Sequence, residues 1–179
     1  MSKVGQNVPN TVLFTRVRDE SIGGDNPFRW ELKHSHDLFA GKKVVVFSLP
    51  GAFTPTCSTM QVPGFEKMAP EFFMRGIDEI YCISVNDAFV MNKWAQDQKL
   101  EHVQVIPDGN CDFTDSMDMG VNKRHLGFGY RSWRYAMIVD NCKIVAFAEE
   151  PGRNNDGSDL DPYGETSPEN VLKMLTEVL

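Results

Sequence analysis

An apolar run followed by a helix and a second apolar run does most to limit the possible folds of this chain. Residues 44–49 are apolar on both alternating faces, as expected for a parallel strand covered on both sides. Residues 56–75 repeat apolar side chains at helical spacing and stop at Gly76, although Pro63 should kink or split this helix. Residues 80–85 form the second apolar run. This order predicts an α/β fold built on parallel strands.

Turn and capping residues place further elements around this unit. Asn86 is expected to cap a helix that ends near Asp97. Asp140-Asn141 should turn a hairpin, and Ser167, followed by Pro168, should cap the last helix. Outside residues 44–85, strands are predicted at residues 12–17, 28–32, 103–106, 132–139 and 143–148, and a weaker helix at 113–119. Together these elements predict a thioredoxin-like fold in one domain over residues 1–179. Its central mixed β-sheet is flanked by helices and preceded by an N-terminal extension.

Composition excludes several function classes. A net charge of −7 argues against non-specific electrostatic binding to nucleic acid or to an anionic membrane. No apolar stretch approaches the roughly 20 residues that span a bilayer, and residues 1–10 lack the apolar centre of a secretory signal. The four cysteines are scattered, without Cys-x-x-Cys or zinc-site spacing. We therefore expect free thiols in the cytoplasm, no metal, and neither nucleic acid nor membrane as partner.

The string PGAFTPTCS at residues 50–58 carries the most chemical information. It follows the strand at residues 44–49, and the carboxyl ends of parallel strands are where α/β proteins bind ligands. Thr54 is a suitable N-cap and Pro55 suits the first helical position, which would put Cys57 in the first turn. Free amides and the helix dipole favour a thiolate there, and a thiolate is the reactive nucleophile. By position alone, Cys57 could equally be a small apolar residue packed under the helix.

The longer pattern separates these two interpretations. Pro50-x-x-x-Thr54-x-x-Cys57 resembles the signature of the peroxiredoxins, and the surrounding string is similar to that of the type II, or Prx5-like, subfamily. The resemblance continues through ISVND at residues 83–87 and RYAMIVD at residues 134–140, and it covers most of the chain from about residue 4. The chain is also similar to the peroxiredoxin part of peroxiredoxin–glutaredoxin hybrids.

The resemblance implies a role for each matching residue. Cys57 would be the peroxidatic cysteine, Thr54 would hydrogen-bond the thiolate and the peroxide, and Pro50 would shield the site from water. Arg134 would stabilise the thiolate and polarise the peroxide. Residues three apart in a strand face opposite sides, so at most one of Arg131 and Arg134 should face Cys57. The resemblance selects Arg134.

Peroxide reduction would leave Cys57 as a sulfenic acid, which a second thiol must reduce. Cys82 stands where plant-type relatives have a second cysteine, but it falls in a predicted buried strand. Cys111 follows a turn and is a second candidate partner, whereas Cys142 is expected to be a bystander in the hairpin. The simplest expectation is a one-Cys cycle that needs no cofactor beyond an external thiol reductant, either glutathione with glutaredoxin or thioredoxin.

Three further expectations accompany the peroxidase interpretation. The substrates would be hydrogen peroxide and small alkyl hydroperoxides, and the chain would form a homodimer. Phe53, Phe113 and Phe128 are candidates for the dimer contact or the rim of the site. A peroxide-sensing relay protein is the alternative function. A disulfide oxidoreductase of the same fold is disfavoured because Thr54 occupies the position of that motif's first cysteine.

Overall fold

Strands and helices alternate along residues 2–178, which are the residues that a computed structural model of the chain describes. The strands within this part are β1 Val12–Arg18, β2 Phe28–His34, β3 Lys43–Leu49, β4 Glu79–Ser84, β5 Val103–Pro107, β6 Gly120–Asn122, β7 Tyr130–Ser132, β8 Tyr135–Asp140 and β9 Lys143–Glu149. The α-helices are α1 Ser35–Phe39, α2 Val62–Met74, α3 Ala88–Asp97, α4 Asp112–Ser116 and α5 Pro168–Val178.

Five of these strands form the central sheet, in the spatial order β5-β4-β3-β8-β9. β3, β4 and β5 are parallel, whereas β8 runs antiparallel to β3 and β9 antiparallel to β8. β1 pairs with β2 in a separate hairpin, as predicted for the N-terminal extension. The predicted central mixed sheet is therefore confirmed, with β3 in its middle.

The apolar run in β3 is explained by two hydrophobic cores, one on each face of the sheet. Val45, Phe47 and Leu49 point into the core that α2 and α5 cover, and the ring of Phe47 stacks on Phe65 with 4.1 Å between centroids. Val44 and Val46 point into the opposite core, which contains residues of α1 and α4. Because both faces are covered, neither set of alternating positions can be polar.

The helix predicted at residues 56–75 is split, as Pro63 led us to expect. Residues 57–61 form a π-helical turn in which the Val62 amide bonds the Cys57 carbonyl, and α2 follows with Pro63 at its start. A proline has no amide to donate, so the regular i to i−4 pattern cannot run through this point.

Two predicted boundaries were wrong. The cap of α3 is Asp87, whose carboxylate accepts a hydrogen bond from the Val90 amide at 2.9 Å, and not Asn86. The β8–β9 turn is Asn141-Cys142, since these two residues have φ values of 47° and 68°. A two-residue hairpin turn needs positive φ at both positions, and Asp140 instead pairs with Lys143 as the last residues of the ladder.

The strand predicted at residues 132–139 is interrupted. Ser132 ends β7, which pairs with β6 outside the central sheet, and β8 begins only at Tyr135. Trp133 and Arg134 lie in this break. The predicted surface loop at residues 151–162 contains no helix or strand, and no helix among residues 2–178 is long and apolar enough to cross a bilayer.

The cap at Asp87 gives a stability prediction. Asp87→Ala removes the acceptor of the Val90 amide and should lower the free energy of unfolding by about 1 kcal/mol. The matched control is Asp97→Ala at the other end of α3, where an exposed ion pair with Lys93 is lost and the change should be below about 0.5 kcal/mol. Urea denaturation followed by circular dichroism measures both variants. Equal losses would refute the assignment of the cap.

Candidate active site

Cys57 lies at the start of the first helical segment after β3. Helical backbone begins at Pro55, so Cys57 occupies the first turn as predicted, and its side chain is fully buried. The Thr54 carbonyl accepts the Ser58 amide at 3.0 Å, which closes this turn around the cysteine. Unpaired amides of a first helical turn and the helix dipole both stabilise negative charge. The local backbone therefore favours a thiolate on Cys57.

The guanidinium of Arg134 adds a full positive charge at the same place. Its Nη1 lies 3.4 Å from Cys57 Sγ, and the side chain is buried. Burial opposes the charged form, but the Cys57 sulfur and the Asp161 carboxylate more than offset it and raise the pKa of Arg134 above its ordinary value. Arg134 therefore stays protonated, and a positive charge this close favours ionised sulfur.

Two side chains hold Arg134 in position from opposite sides. Nη1 also donates to Gln61 Oε1 at 2.6 Å, and Nη2 donates to Asp161 Oδ1 at 2.6 Å. Gln61 in turn donates to the Thr166 hydroxyl at 3.4 Å. A guanidinium fixed by a fork of hydrogen bonds presents its charge to the sulfur in one orientation.

Thr54 and Pro50 line the same cleft as Arg134, the arginine that contacts Cys57. The Thr54 hydroxyl donates to the Gly51 carbonyl at 2.7 Å, so the side chain is oriented by the preceding loop and does not cap the helix. The Pro50 carbonyl accepts from Arg131 Nη1 at 3.2 Å. Both residues line the cleft above Cys57 together with Arg134. All four residues singled out from the sequence thus lie around one point of the structure.

Of the two arginines, Arg134 contacts Cys57 Sγ, whereas Arg131 donates to the Phe128 and Pro50 carbonyls. Burial lowers the pKa of Arg131, and the charge of the Cys57 sulfur opposes that shift. Arg131 lies in β7 and Arg134 in the break that follows it. Alternation holds only within a continuous strand, and the break removes it here.

A cleft of about 450 Å³ opens above this site. Its walls come from the turn after β3, from residues 123–128 and from the loop at residues 151–162. The lining residues are Pro50, Thr54, Pro55, Lys123, His125, Leu126, Phe128, Arg134, Gly157, Asp159, Leu160 and Asp161. Of the three phenylalanines singled out above, Phe128 is therefore at the site rim and Phe53 is exposed, but Phe113 is buried in a core and was wrongly included.

The other cysteines differ from Cys57 in their surroundings. Burial raises the pKa of Cys82 well above its ordinary value, and burial also raises the pKa of Cys111 to about 12. Cys142 sits in the β8–β9 turn, beyond the end of β8 opposite to Arg134. All four cysteines are free thiols.

Sequence reasoning missed four residues that build the site. Gln61 is a polar residue on the buried side of a helical turn, and Glu150 is a buried acid at the end of a strand. Asp159 and Asp161 lie in a loop whose composition indicated only solvent exposure. A buried polar position in an otherwise apolar helix face was the one available signal, and it applied to Gln61 alone.

Comparisons with known proteins agree with this geometry. A profile of the Redoxin family matches residues 3–163. A peroxiredoxin of Rhizobium etli is 55% identical over 170 residues, which cover 95% of this chain and 94% of the relative. The hybrid peroxiredoxin hyPrx5 of Haemophilus influenzae is 44% identical over 97% of this chain and 66% of its own length. The solved structure of the Plasmodium falciparum antioxidant protein, a 1-Cys peroxiredoxin, superposes with a TM-score of 0.88 at 36% identity, covering 97% of this chain and 99% of that one. This similarity confirms the predicted thioredoxin-like fold.

The raised pKa values predict how the thiols react with iodoacetamide, which attacks thiolates. Labelling of Cys111 should be slow near neutrality and should increase about ten-fold per pH unit up to about pH 10 without a plateau, because its pKa lies above that range. Cys82, which is fully buried and has a pKa well above its ordinary value, should react no faster than Cys111. Peptide mass spectrometry after timed labelling measures both rates in the same sample. A plateau for Cys111 below about pH 10 would contradict the burial effect.

Proposed function

This chain belongs to the Redoxin family and is a peroxiredoxin, a thiol-dependent peroxidase, and on that premise we propose that Cys57 reduces hydrogen peroxide and small alkyl hydroperoxides. The observation that carries the proposal is the 3.4 Å contact between Arg134 Nη1 and Cys57 Sγ in the first turn of a helix. Thr54 and Pro50 complete the site at the mouth of the cleft.

The proposed reaction moves two electrons from sulfur to the peroxide. The Cys57 thiolate attacks one oxygen of ROOH, an S–O bond forms, and the O–O bond breaks. The proton stays with the oxygen on sulfur, which gives the sulfenic acid, and the leaving RO⁻ takes a proton from water to become ROH. Negative charge thus moves from sulfur to the leaving oxygen.

Arg134 is placed to follow that charge. Its guanidinium is already desolvated and fixed by Gln61 and Asp161, so little reorganisation is needed as the leaving oxygen becomes negative. Thr54 supplies a hydroxyl that can donate to the peroxide if it exchanges its bond to Gly51. Pro50 adds apolar surface to the lining of the cleft, which would help to keep water from the reacting atoms.

The burial of the other cysteines favours reduction of oxidised Cys57 by an external thiol. Cys82 and Cys111 are both buried and have raised pKa values, so neither is a ready thiolate for attack on a sulfenic acid. Two glutathione molecules would reduce the sulfenic acid. The first forms a mixed disulfide with Cys57 and releases water. The second, aided by glutaredoxin, attacks this disulfide and releases the Cys57 thiol and glutathione disulfide. The similarity to a hybrid peroxiredoxin and to a 1-Cys peroxiredoxin supports this route, and thioredoxin is the alternative reductant.

The proposal also includes the oligomeric state of the protein and its cellular compartment. The exposed rings of Phe53 and Tyr130 lie in the segments on either side of the cleft, an arrangement suited to a homodimer whose contact borders the site. Free thiols throughout the chain fit a reducing compartment, most simply the cytoplasm.

The role of Arg134 can be tested by substitution. Arg134→Gln removes the charge beside Cys57 and should lower kcat/KM for hydrogen peroxide by about 10²- to 10³-fold. Cys57→Ser defines zero turnover, and Arg75→Gln, which changes an exposed arginine of equal charge, should stay within about two-fold of the parent. Turnover is followed by glutathione disulfide formation, with circular dichroism as the folding check. A loss below about three-fold for Arg134→Gln would exclude its proposed role.

The one-Cys cycle gives a separate prediction. Cys82→Ser and Cys111→Ser should both retain steady turnover with glutathione and glutaredoxin, because neither thiol takes part after the first oxidation. Mass spectrometry after one equivalent of hydrogen peroxide should show oxygen added to Cys57 and no internal disulfide. If Cys82→Ser stops after a single oxidation of Cys57, the cycle uses two cysteines of this chain.

A further inference from the structure

The carboxylate of Asp161 stands between solvent and the guanidinium of Arg134. Asp161 Oδ1 accepts from Arg134 Nη2, and Oδ2 accepts from the Thr56 hydroxyl at 3.1 Å. The Arg134 side chain is only 2% exposed, whereas the Asp161 side chain is 49% exposed. A molecule entering the cleft therefore meets the negative partner of this ion pair before the positive one.

The other charges of the cleft do not offset this asymmetry. Lys123 and Asp159 form an ion pair at 2.7 Å with side chains that are 3% and 2% exposed. This pair is closed off from solvent and neutral as a unit. Arg131 is engaged by the Phe128 and Pro50 carbonyls behind the wall of the cleft. His125 is the remaining titratable group of the lining. The Asp161 carboxylate is therefore the exposed charge that an entering molecule meets first.

The uncharged part of the entrance is apolar. Leu126 and Leu160 are both exposed on the rim, and Phe128 and Pro55 line the walls below them. Apolar walls gain from covering an alkyl or aryl group, and the carboxylate at the rim repels a negative one. The two features together favour uncharged hydroperoxides over anionic ones.

The position of Asp161 is set by its own loop. Its backbone lies in the left-handed region, with φ 47°, and its amide donates to the Asp159 carboxylate at 3.1 Å. Because Asp159 is itself held by Lys123, the buried ion pair fixes the residue that carries the exposed carboxylate. Asparagine adopts left-handed backbone readily, so Asp161→Asn removes the charge without opposing the backbone.

We propose that Asp161 is a specificity-determining residue that selects uncharged hydroperoxides against anionic ones, an inference that presupposes the peroxidase function proposed for Cys57. The carboxylate acts on the approaching substrate by charge, in addition to its hydrogen bond to Arg134. Rim charges of this kind change the rate at which a charged ligand reaches its site.

A matched pair of substrates tests this proposal. Cumene hydroperoxide that carries a para-carboxylate and the methyl ester of the same compound differ only in charge. In the parent enzyme kcat/KM should be higher for the ester. Because Asp161 also holds Arg134, the readout is the ratio of the two kcat/KM values, and Asp161→Asn should raise the carboxylate-to-ester ratio about five-fold. Asp140→Asn, an exposed position at the opposite end of β8, makes the same change in net charge and should alter neither value.

The outcomes distinguish the peroxidase function of Cys57 from the specificity role of Asp161. Failure of the parent enzyme to turn over hydrogen peroxide would overturn the peroxidase function proposed for Cys57, and failure with the ester alone would overturn the selection of uncharged hydroperoxides. Normal turnover of the ester with an unchanged carboxylate-to-ester ratio in Asp161→Asn would overturn the specificity role. Asp161→Ser provides the same readout should the asparagine variant fail to fold, and an equal change in Asp140→Asn would show an effect of net charge alone.

Discussion

A buried guanidinium is the constraint on which the site depends. Removing the charge of Arg134 from water is costly unless it is compensated. The Cys57 sulfur, the Gln61 amide oxygen and the Asp161 carboxylate compensate the two terminal nitrogens, whereas Nε is buried without a hydrogen-bond partner. Cys57 and Gln61 come from one π-helical turn, and Asp161 comes from the loop at residues 151–162. The sulfur that is to be activated is thus also one of the groups that make burial of the arginine possible, so the reactive state of Cys57 and the local fold stabilise each other.

The interruptions of regular structure determine where these groups meet. The π-helical turn before α2 and the break between β7 and β8 both adjoin the site, and the second of them contains Arg134. A continuous β7–β8 strand would have sent Arg131 and Arg134 to opposite faces of the sheet. Irregular backbone at these two points brings the guanidinium of Arg134 to the Cys57 sulfur.

Sequence patterns predicted the elements that are determined by residues close together in the chain. The run in β3, the proline that splits the helix and the pair Ser167-Pro168 each have a local physical cause, and the structure has all three. The choice of Asp87 over Asn86 as cap depends on which side chain is recruited elsewhere: Asn86 Oδ1 accepts the Ala52 amide and cannot serve α3. Asp161 and Glu150 form hydrogen bonds with residues distant in the sequence, and a local sequence pattern cannot reveal such partners.

Glu150 fixes the two ends of the loop that carries Asp161. Its carboxylate accepts the amides of Gly164 and Thr166, while its own backbone amide donates to the Arg134 carbonyl and its carbonyl accepts the Trp133 indole. Outside Asp159 and Asp161, the segment between these ends can change in composition while Arg134 keeps its partners. Selection during evolution can therefore remodel the entrance of the cleft, and with it the choice of peroxide, while the groups that perform the oxidation stay as they are.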